Sequence, residues 1–335
     1  MLVSNMNNIR YLSGFSGSSA YLLITAGNKF FLTDSRYASQ ARDEVKGCRI
    51  KIYTKALDAI TGVVNAEKAG SLAFESDFVT HDAFLRLKKQ LPSIKLKPLP
   101  GVAGKARVCK DPVEMERIRE SARLLDLGFE VAARVIRAGV TEKKAASLIE
   151  SAFREAGADG LAFDTIVASG ERAALPHGKA SDRKIRKGDL VVVDMGVVLS
   201  GYNSDGTRTF CVGRPSTEQK KVYNTVLEAQ IRAEERVAAG VLAAYVDAGA
   251  RETIDRAGYG KYFGHGTGHG VGLDVHEAPS VSPTSKDILA PGMVITVEPG
   301  IYIPGWGGVR IEDMVMVKRD GFEVLTATSK ELVSL

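Results

Sequence analysis

Cysteine is scarce in this chain of 335 residues: Cys48, Cys109 and Cys211 are odd in number, far apart and in no C-x-x-C pair. No disulfide framework is expected, and free thiols of this kind suit a reducing compartment. Long apolar runs are missing too, with none near the roughly 18 residues of a spanning helix. The opening MLVSNMNNIRYLSGF has no basic segment followed by an apolar one, so no signal peptide is read there. A cytoplasmic protein without membrane partners is the expectation. An excess of one charge is also lacking. Lys and Arg number 45 against 40 Asp and Glu, a net +5 with the signs interspersed. No basic run carries interleaved aromatics, which argues against a nucleic-acid partner.

What is present is an ordinary globular composition, 44% apolar and 25% charged, at a length that suits two domains. Residues 1–100 read as a small α/β domain. Leu22–Thr25 and Lys29–Thr33 are strands joined by the turn residues Ala26–Asn28, with further strands at Arg49–Tyr53 and Ser71–Ser76. Helices are read at Arg36–Val45 and His81–Leu91. From Leu91 to Lys110 prolines and glycines alternate with lysines, and residues 101–110 are read as a linker.

A marked helix start follows. Asp111 can cap, Pro112 suits the first helical position and Glu114 completes the capping box. Met115, Ile118, Ala122, Leu125, Phe129, Ala132 and Ile136 recur at helical spacing until Gly139. A second helix runs from Thr141 to Gly157. Strands are read from Phe163 onward, then helices from Ser216 and about Tyr245, then the strands Met293–Glu298 and Val309–Val317. Residues 111–335 thus read twice as two helices followed by strands, a duplicated α+β architecture whose halves face one cleft.

Histidine is rare, five in all, yet His265, His269 and His276 fall inside Gly264–Glu277, which reads G-H-G-T-G-H-G-V-G-L-D-V-H-E. An extended strand would place His265, Thr267 and His269 on one face and leave a bare glycine face for another backbone or a substrate. A lone His here would suit a flexible loop; three point to metal or catalysis. Acids answer them. Asp194 sits in LVVVDMGVV, where a charged carboxylate needs a partner or a cation. Asp205 follows a turn at Leu199–Gly201, and a two-residue hairpin loop would put both Asp on one face, opposite or diagonal. Glu298 ends MVITVE, and Glu312 lies in VRIEDMVMV. Any one of these acids alone suits solvation or a pairing with Arg208 or Arg310. Four of them with a His cluster argue for a dinuclear metal centre. Its oxygen-rich donors suit Mn²⁺, Co²⁺ or Fe²⁺ as well as Zn²⁺.

At these residues the sequence resembles the metal-dependent M24 peptidases of the "pita-bread" fold, in the aminopeptidase P and prolidase branch. NIRYLSGFSGSSAYLLIT resembles that branch's creatinase-like N-terminal domain, and DPVEMERIRESARL the opening helix of its catalytic domain. DMG…GYNSDGTRTF, GHGTGHGVGLDVHE, VEPGIY and GGVRIED are the most specific motifs. The implied domains are 1–100, creatinase-like and without the family's usual opening helix, and 111–335, the metallopeptidase. The implied metal ligands are Asp194, Asp205, His269, Glu298 and Glu312, with Asp205 and Glu312 bridging two divalent ions, Mn²⁺ or Co²⁺ ahead of Zn²⁺ or Fe²⁺. Glu298 would also help deprotonate the attacking water. His177, His265 and His276 match histidines around the substrate, and Arg310 and Thr296 match groups that orient Glu312 and the bridging solvent.

The resemblance implies an Xaa-Pro aminopeptidase acting on proline-containing peptides as a homodimer. An Xaa-Pro dipeptidase is the first alternative, and an inactive binding module on the same fold a more distant one. Ser280 stands in HEAPS where several prolidases carry an Arg that meets the dipeptide carboxylate, which favours longer peptides.

Overall fold

The computed structural model describes residues 1–335, which divide into two compact units, Met1–Arg107 and Val108–Leu335. In the first unit the order is β1 (Leu2–Val3), α1 (Met6–Ser13), β2 (Tyr21–Ile24), β3 (Lys29–Asp34), α2 (Ala38–Glu44) and β4 (Arg49–Tyr53). Then come α3 (Ala56–Ala66), β5 (Ser71–Phe74), α4 (His81–Gln90), β6 (Lys95–Pro98) and α5 (Val102–Arg107). The strands form one mixed sheet, β4-β3-β2-β1-β5-β6. Successive strand residues point to opposite faces, and both faces are covered. Leu2, Leu23, Phe30 and Leu32 pack with Ile60 and Val63 of α3 and Leu87 of α4. Val3, Leu22 and Phe31 pack with Ile9 of α1 and Ala41 of α2.

Sequence patterning missed four of these elements. The helix α1 is short but well closed: Asn5 accepts from the amides of Asn7 and Asn8, and Gly14 stops it with φ +82°. α3 went unassigned. Residues 95–107 carry β6 and α5 although their composition reads as a linker. Leu72 pairs with Leu96 in a parallel ladder, and that pairing makes the lysine-rich segment an edge strand, where charge is tolerated.

The second unit opens with α6 (Pro112–Val135), whose capping box is formed by Asp111 and Glu114 as read, and α7 (Glu142–Glu155). Short strands follow: β7 (Gly160–Leu161), β8 (Ile166–Ser169), β9 (Leu190–Met195), β10 (Val197–Leu199), β11 (Tyr202–Asn203) and β12 (Gly206–Cys211). The second half begins with α8 (Thr217–Glu234) and α9 (Ala243–Arg256). Its strands are β13 (Gly268–Gly270), β14 (Glu277–Val281), β15 (Val294–Val297), β16 (Gly300–Ile303), β17 (Gly307–Arg310), β18 (Asp313–Lys318) and β19 (Gly321–Val324). One core joins α6 and α7 to β8, β9 and β12. The other joins α8 and α9 to β15, β17 and β18. The duplicated α+β organisation is therefore the one built.

Two sequence expectations need correction. Val309–Val317 is two strands rather than one. β17 pairs with β16 and β18 with β15, and the chain breaks at Ile311–Glu312, where the Glu312 amide turns to the Thr207 carbonyl at 3.1 Å. The Gly264–Gly272 stretch is a strand only at Gly268–Gly270. Thr267 leaves the shared face: its hydroxyl and amide both go to Asp247 Oδ1, at 2.8 and 3.1 Å.

Candidate metal centre

The β9–β12 ladder sets the first pair of acids. Asp194 opposes Thr207, so Asp205, two residues before Thr207, projects to the same face as Asp194 and diagonally from it. The connection is made by the β10–β11 hairpin. Its two-residue loop, Ser200 and Gly201, has positive φ at both positions, +51° and +82°, as a type I′ turn requires. His269 comes from β13, Glu298 from the end of β15, and Glu312 from the break between β17 and β18.

These five side chains converge. Asp194, Asp205 and Glu312 bring ligand atoms within 4.8 Å of one another, His269, Glu298 and Glu312 form a second such group, and Asp205, His269 and His276 a third. Glu312, Asp205 and His269 each belong to two groups. His269 Nε2 lies 3.5 Å from Asp205 Oδ2 and 3.3 Å from Glu298 Oε1, while its Nδ1 lies 3.1 Å from the Gly270 carbonyl. A carbonyl only accepts, so Nδ1 carries one proton; Nε2, turned toward the carboxylates, carries the second while the ring is charged and is the nitrogen left for a cation.

The electrostatics are those of a cation cradle. Burial, then the Asp194 charge, holds Asp205 well above the ordinary carboxylate range. Burial, then Asp205, does the same for Glu312. Asp194 is raised by burial, with Arg310 opposing. Its Oδ1 is buried and has no hydrogen-bond partner. Burial opposes ionisation of Glu298 as well, but the hydrogen bond and charge of His269, together with the charges of Arg310 and His265, outweigh it and the group is lowered. For His269 burial favours the neutral ring, yet Glu298 and Asp205 push it up to about 9. Three like charges packed this closely, with an orphaned oxygen among them, fit divalent cations and their hard oxygen chemistry.

Arg310 and Thr296 sit beside the centre but on different partners from those expected. Arg310 Nη2 donates to Asp194 Oδ2, its Nε to Thr207 Oγ1 at 3.0 Å, and its Nη1 to the Pro176 carbonyl and to Tyr302 Oη at 3.0 and 2.8 Å. It reaches Glu312 only through Thr207, whose hydroxyl donates to Glu312 Oε2 at 2.7 Å. Thr296 Oγ1 donates to Glu298 Oε1 at 3.1 Å and accepts from the His269 amide. Thr207, Tyr302 and Asp247 escaped sequence reasoning. A single Thr or Tyr in a strand carries no pattern, although the apolar surroundings of Asp247 on α9 were a usable signal.

All five side chains, with Arg310 and Tyr302, line a cavity of about 700 Å³. His177, His265 and His276 line it too. His265 is held between Phe263 and Tyr302, with Nε2 3.1 Å from Tyr302 Oη, and burial lowers its pKa. The His276 ring stands 4.1 Å from that of His269, and burial and the His269 charge lower its pKa. The alternating glycines serve the protein itself more than a ligand. A Cβ on Gly266, Gly268 or Gly270 would meet the carbonyls of Val281, Thr296 or Ala278 at 2.9, 2.0 and 2.2 Å. Gly264 alone opens onto free space in the cavity.

A duplicated α+β unit with a carboxylate–histidine cradle in its cleft defines a class, the metal-dependent peptidases. Residues 116–319 match Metallopeptidase family M24, and residues 1–109 match the Creatinase/Prolidase N-terminal domain. The chain belongs to metallopeptidase family M24 and is a hydrolase, an exopeptidase that the family ties to divalent metal ions. It is 40% identical over 339 residues to an Xaa-Pro dipeptidase of Pyrococcus horikoshii, covering 99% of this chain and 94% of that one. Among solved structures it is similar to an Xaa-Pro dipeptidase from Bacillus anthracis, with a TM-score of 0.97, 42% identity and coverage of 100% and 94%. An X-Pro aminopeptidase from Thermotoga maritima matches with a TM-score of 0.93, 39% identity and coverage of 100% and 97%.

Proposed function

We propose that this protein is an Xaa-Pro dipeptidase, which hydrolyses the bond before proline in dipeptides. The similarity over nearly full length to proteins named as Xaa-Pro dipeptidases carries this reading, and the cleft chemistry agrees with it. It replaces the aminopeptidase reading drawn from sequence as the main one. Proline's tertiary amide offers no N–H for backbone recognition. A site that works on the carbonyl rather than on that nitrogen meets the difficulty.

In this reading Asp194, Asp205, His269, Glu298 and Glu312 hold two divalent ions, Mn²⁺ or Co²⁺ ahead of Zn²⁺ or Fe²⁺. Asp205 and Glu312, which share one buried group with Asp194, would be the carboxylates common to the two positions. Bound there, such ions supply Lewis-acid polarisation and lower the pKa of solvent. Glu298 takes the proton of the attacking water, and Thr296, which donates to its Oε1, holds it in place. His265, His276 and His177 border the space for the scissile carbonyl, where ring N–H groups stabilise the developing oxyanion. Arg310 fixes Asp194 and Tyr302. A homodimer belongs to the same proposal, and size-exclusion chromatography with light scattering would test it.

Removal of the first residue from longer Xaa-Pro peptides is the second reading. Ser280, a neutral hydroxyl opposite His269 across the β13–β14 ladder, favours it. Assay of Ala-Pro, Ala-Pro-Ala and Ala-Ala with Mn²⁺ and Co²⁺ separates them. Rapid cleavage of Ala-Pro alone is expected, and faster cleavage of Ala-Pro-Ala would overturn the dipeptidase assignment.

A further inference from the structure

The cavity contains one ion pair that neither the metal centre nor its supports use. Lys179 Nζ lies 2.8 Å from Asp164 Oδ2, and the two side chains are 81% and 79% exposed. Strand register says where this pair stands. Thr207 opposes Asp194, Asp194 opposes Ile166, and Ile166 forms an isolated antiparallel bridge with Lys179. Directly opposed residues project to the same face of a sheet. Thr207, Asp194, Ile166 and Lys179 therefore form one row on the face that opens into the cavity. Asp164, two residues before the start of β8, lines the same cavity.

Distance along the row suits a particular ligand group. At about 4.8 Å per strand, the Lys179 Cα is roughly 10 Å from the Asp194 Cα. A lysine brings its ammonium inward on a flexible four-carbon stem. In an Xaa-Pro dipeptide the free carboxylate is one residue beyond the scissile carbonyl, about 3.5 Å of chain. The two reaches meet between the metal centre and Lys179. Lys179 and Arg310 are the Lys and Arg residues that line the cavity, and Arg310 is buried on Asp194. The Lys179 backbone is fixed while its side chain is not. Arg172 Nη2 donates to the Lys179 carbonyl at 2.5 Å, and the buried Glu142 carboxylate anchors Arg172 at 3.0 Å and both Ser181 donors at 3.0 and 2.6 Å. An ion pair this exposed contributes little, so the ammonium changes partner at small cost.

We propose that Lys179 leaves Asp164 to bind the free α-carboxylate of the substrate, and that this contact makes the site prefer dipeptides although Ser280 offers no charge there. The inference rests on the dipeptidase reading and deepens it. Its test compares Ala-Pro with Ala-Pro-amide, which lacks the carboxylate charge, in wild type, Lys179→Met and Lys179→Arg. A lost charge-assisted hydrogen bond predicts that Lys179→Met raises KM for Ala-Pro about tenfold at nearly constant kcat and leaves the amide unchanged, with recovery in Lys179→Arg. KM for Ala-Pro rises with salt in the wild type and in Lys179→Arg but not in Lys179→Met. Equal effects on both substrates, or none on Ala-Pro, would overturn the role of Lys179. A wild type that prefers the amide or a tripeptide defeats the dipeptidase reading instead, even where Lys179→Met still weakens Ala-Pro selectively.

Discussion

Asp313 shows how a single buried carboxylate can be mistaken for, or hidden beside, a functional one. It follows Glu312 directly, yet it points into a different network. Its carboxylate accepts from Arg208 Nη2 at 2.7 Å, from Gln230 Nε2 at 3.1 Å and from Thr326 Oγ1, and pairs with Lys330 at 3.0 Å. Arg208 Nη1 also donates to the Glu312 carbonyl, so this network holds the backbone of a proposed ligand from behind. Glu234 belongs to it through Lys330 at 2.8 Å and Gln230 at 2.6 Å. Burial and the neighbouring Asp313 charge, against Lys330 and Gln230, push Glu234 up to about 7. A carboxyl raised in the folded state binds its proton more tightly there than when unfolded. Its stabilising effect is full below its ordinary pKa near 4.5 and is lost as pH rises through about 7. Urea midpoints of wild type and Glu234→Gln, compared from pH 4.5 to 7.5, should therefore show the wild type losing stability relative to the variant as pH rises. Parallel curves would refute the shift.

At the scale of elements, the His-Gly stretch is decided by close packing of strands. Gly268 has no room for a side chain, because a Cβ would stand 2.0 Å from the Thr296 carbonyl and 2.9 Å from Thr296 Oγ1. That threonine holds both the His269 amide and Glu298. Gly268→Ala must displace β15 from β13, and it is expected to lower stability by about 1–3 kcal/mol, as overpacking does, and to weaken Mn²⁺ binding in calorimetry. Gly264→Ala, with nothing within 4 Å, should leave stability unchanged and affect only the cavity. The elements themselves were legible to different degrees. The capping boxes of α6, Asp111 with Glu114, and of α8, Ser216 with Gln219, marked their starts residue by residue, since the same side chains that identify a cap also make it. α1, α3, β6 and α5 were not legible, because short segments with mixed charge gain their order from neighbours rather than from their own pattern.

In the whole molecule, two halves of the second unit supply one centre. Asp194 and Asp205 come from the β9–β12 side, and His269, Glu298 and Glu312 from the β13–β18 side. Cations held between them, as proposed, would bind the folded chain and not the unfolded one and would relieve the crowding of Asp194, Asp205 and Glu312. Stripping with a chelator should lower Tm, and returning Mn²⁺ or Co²⁺ should restore both Tm and peptidase activity. At a concentration 100-fold above Kd the gain is about 2.7 kcal/mol. A Tm indifferent to metal would contradict the proposed centre. No helix is long and apolar enough to cross a membrane.

The sequence by itself determined the family, the duplicated α+β plan and the cast of acids and histidines, because motif spacing, strand period and capping chemistry are local properties of the chain. It placed Asp194 and Asp205 on one face through the strand period together with an assumed two-residue hairpin loop. Only the tertiary structure decided what each group touches. Arg310 went to Asp194 rather than Glu312, the glycines met neighbouring carbonyls rather than a ligand, and VRIEDMVMV split so that Glu312 and Asp313 serve different networks. Lys179 joined the row of Asp194 through a bridge from a loop. Such partners are chosen by register between strands distant in sequence, and no single strand encodes that register.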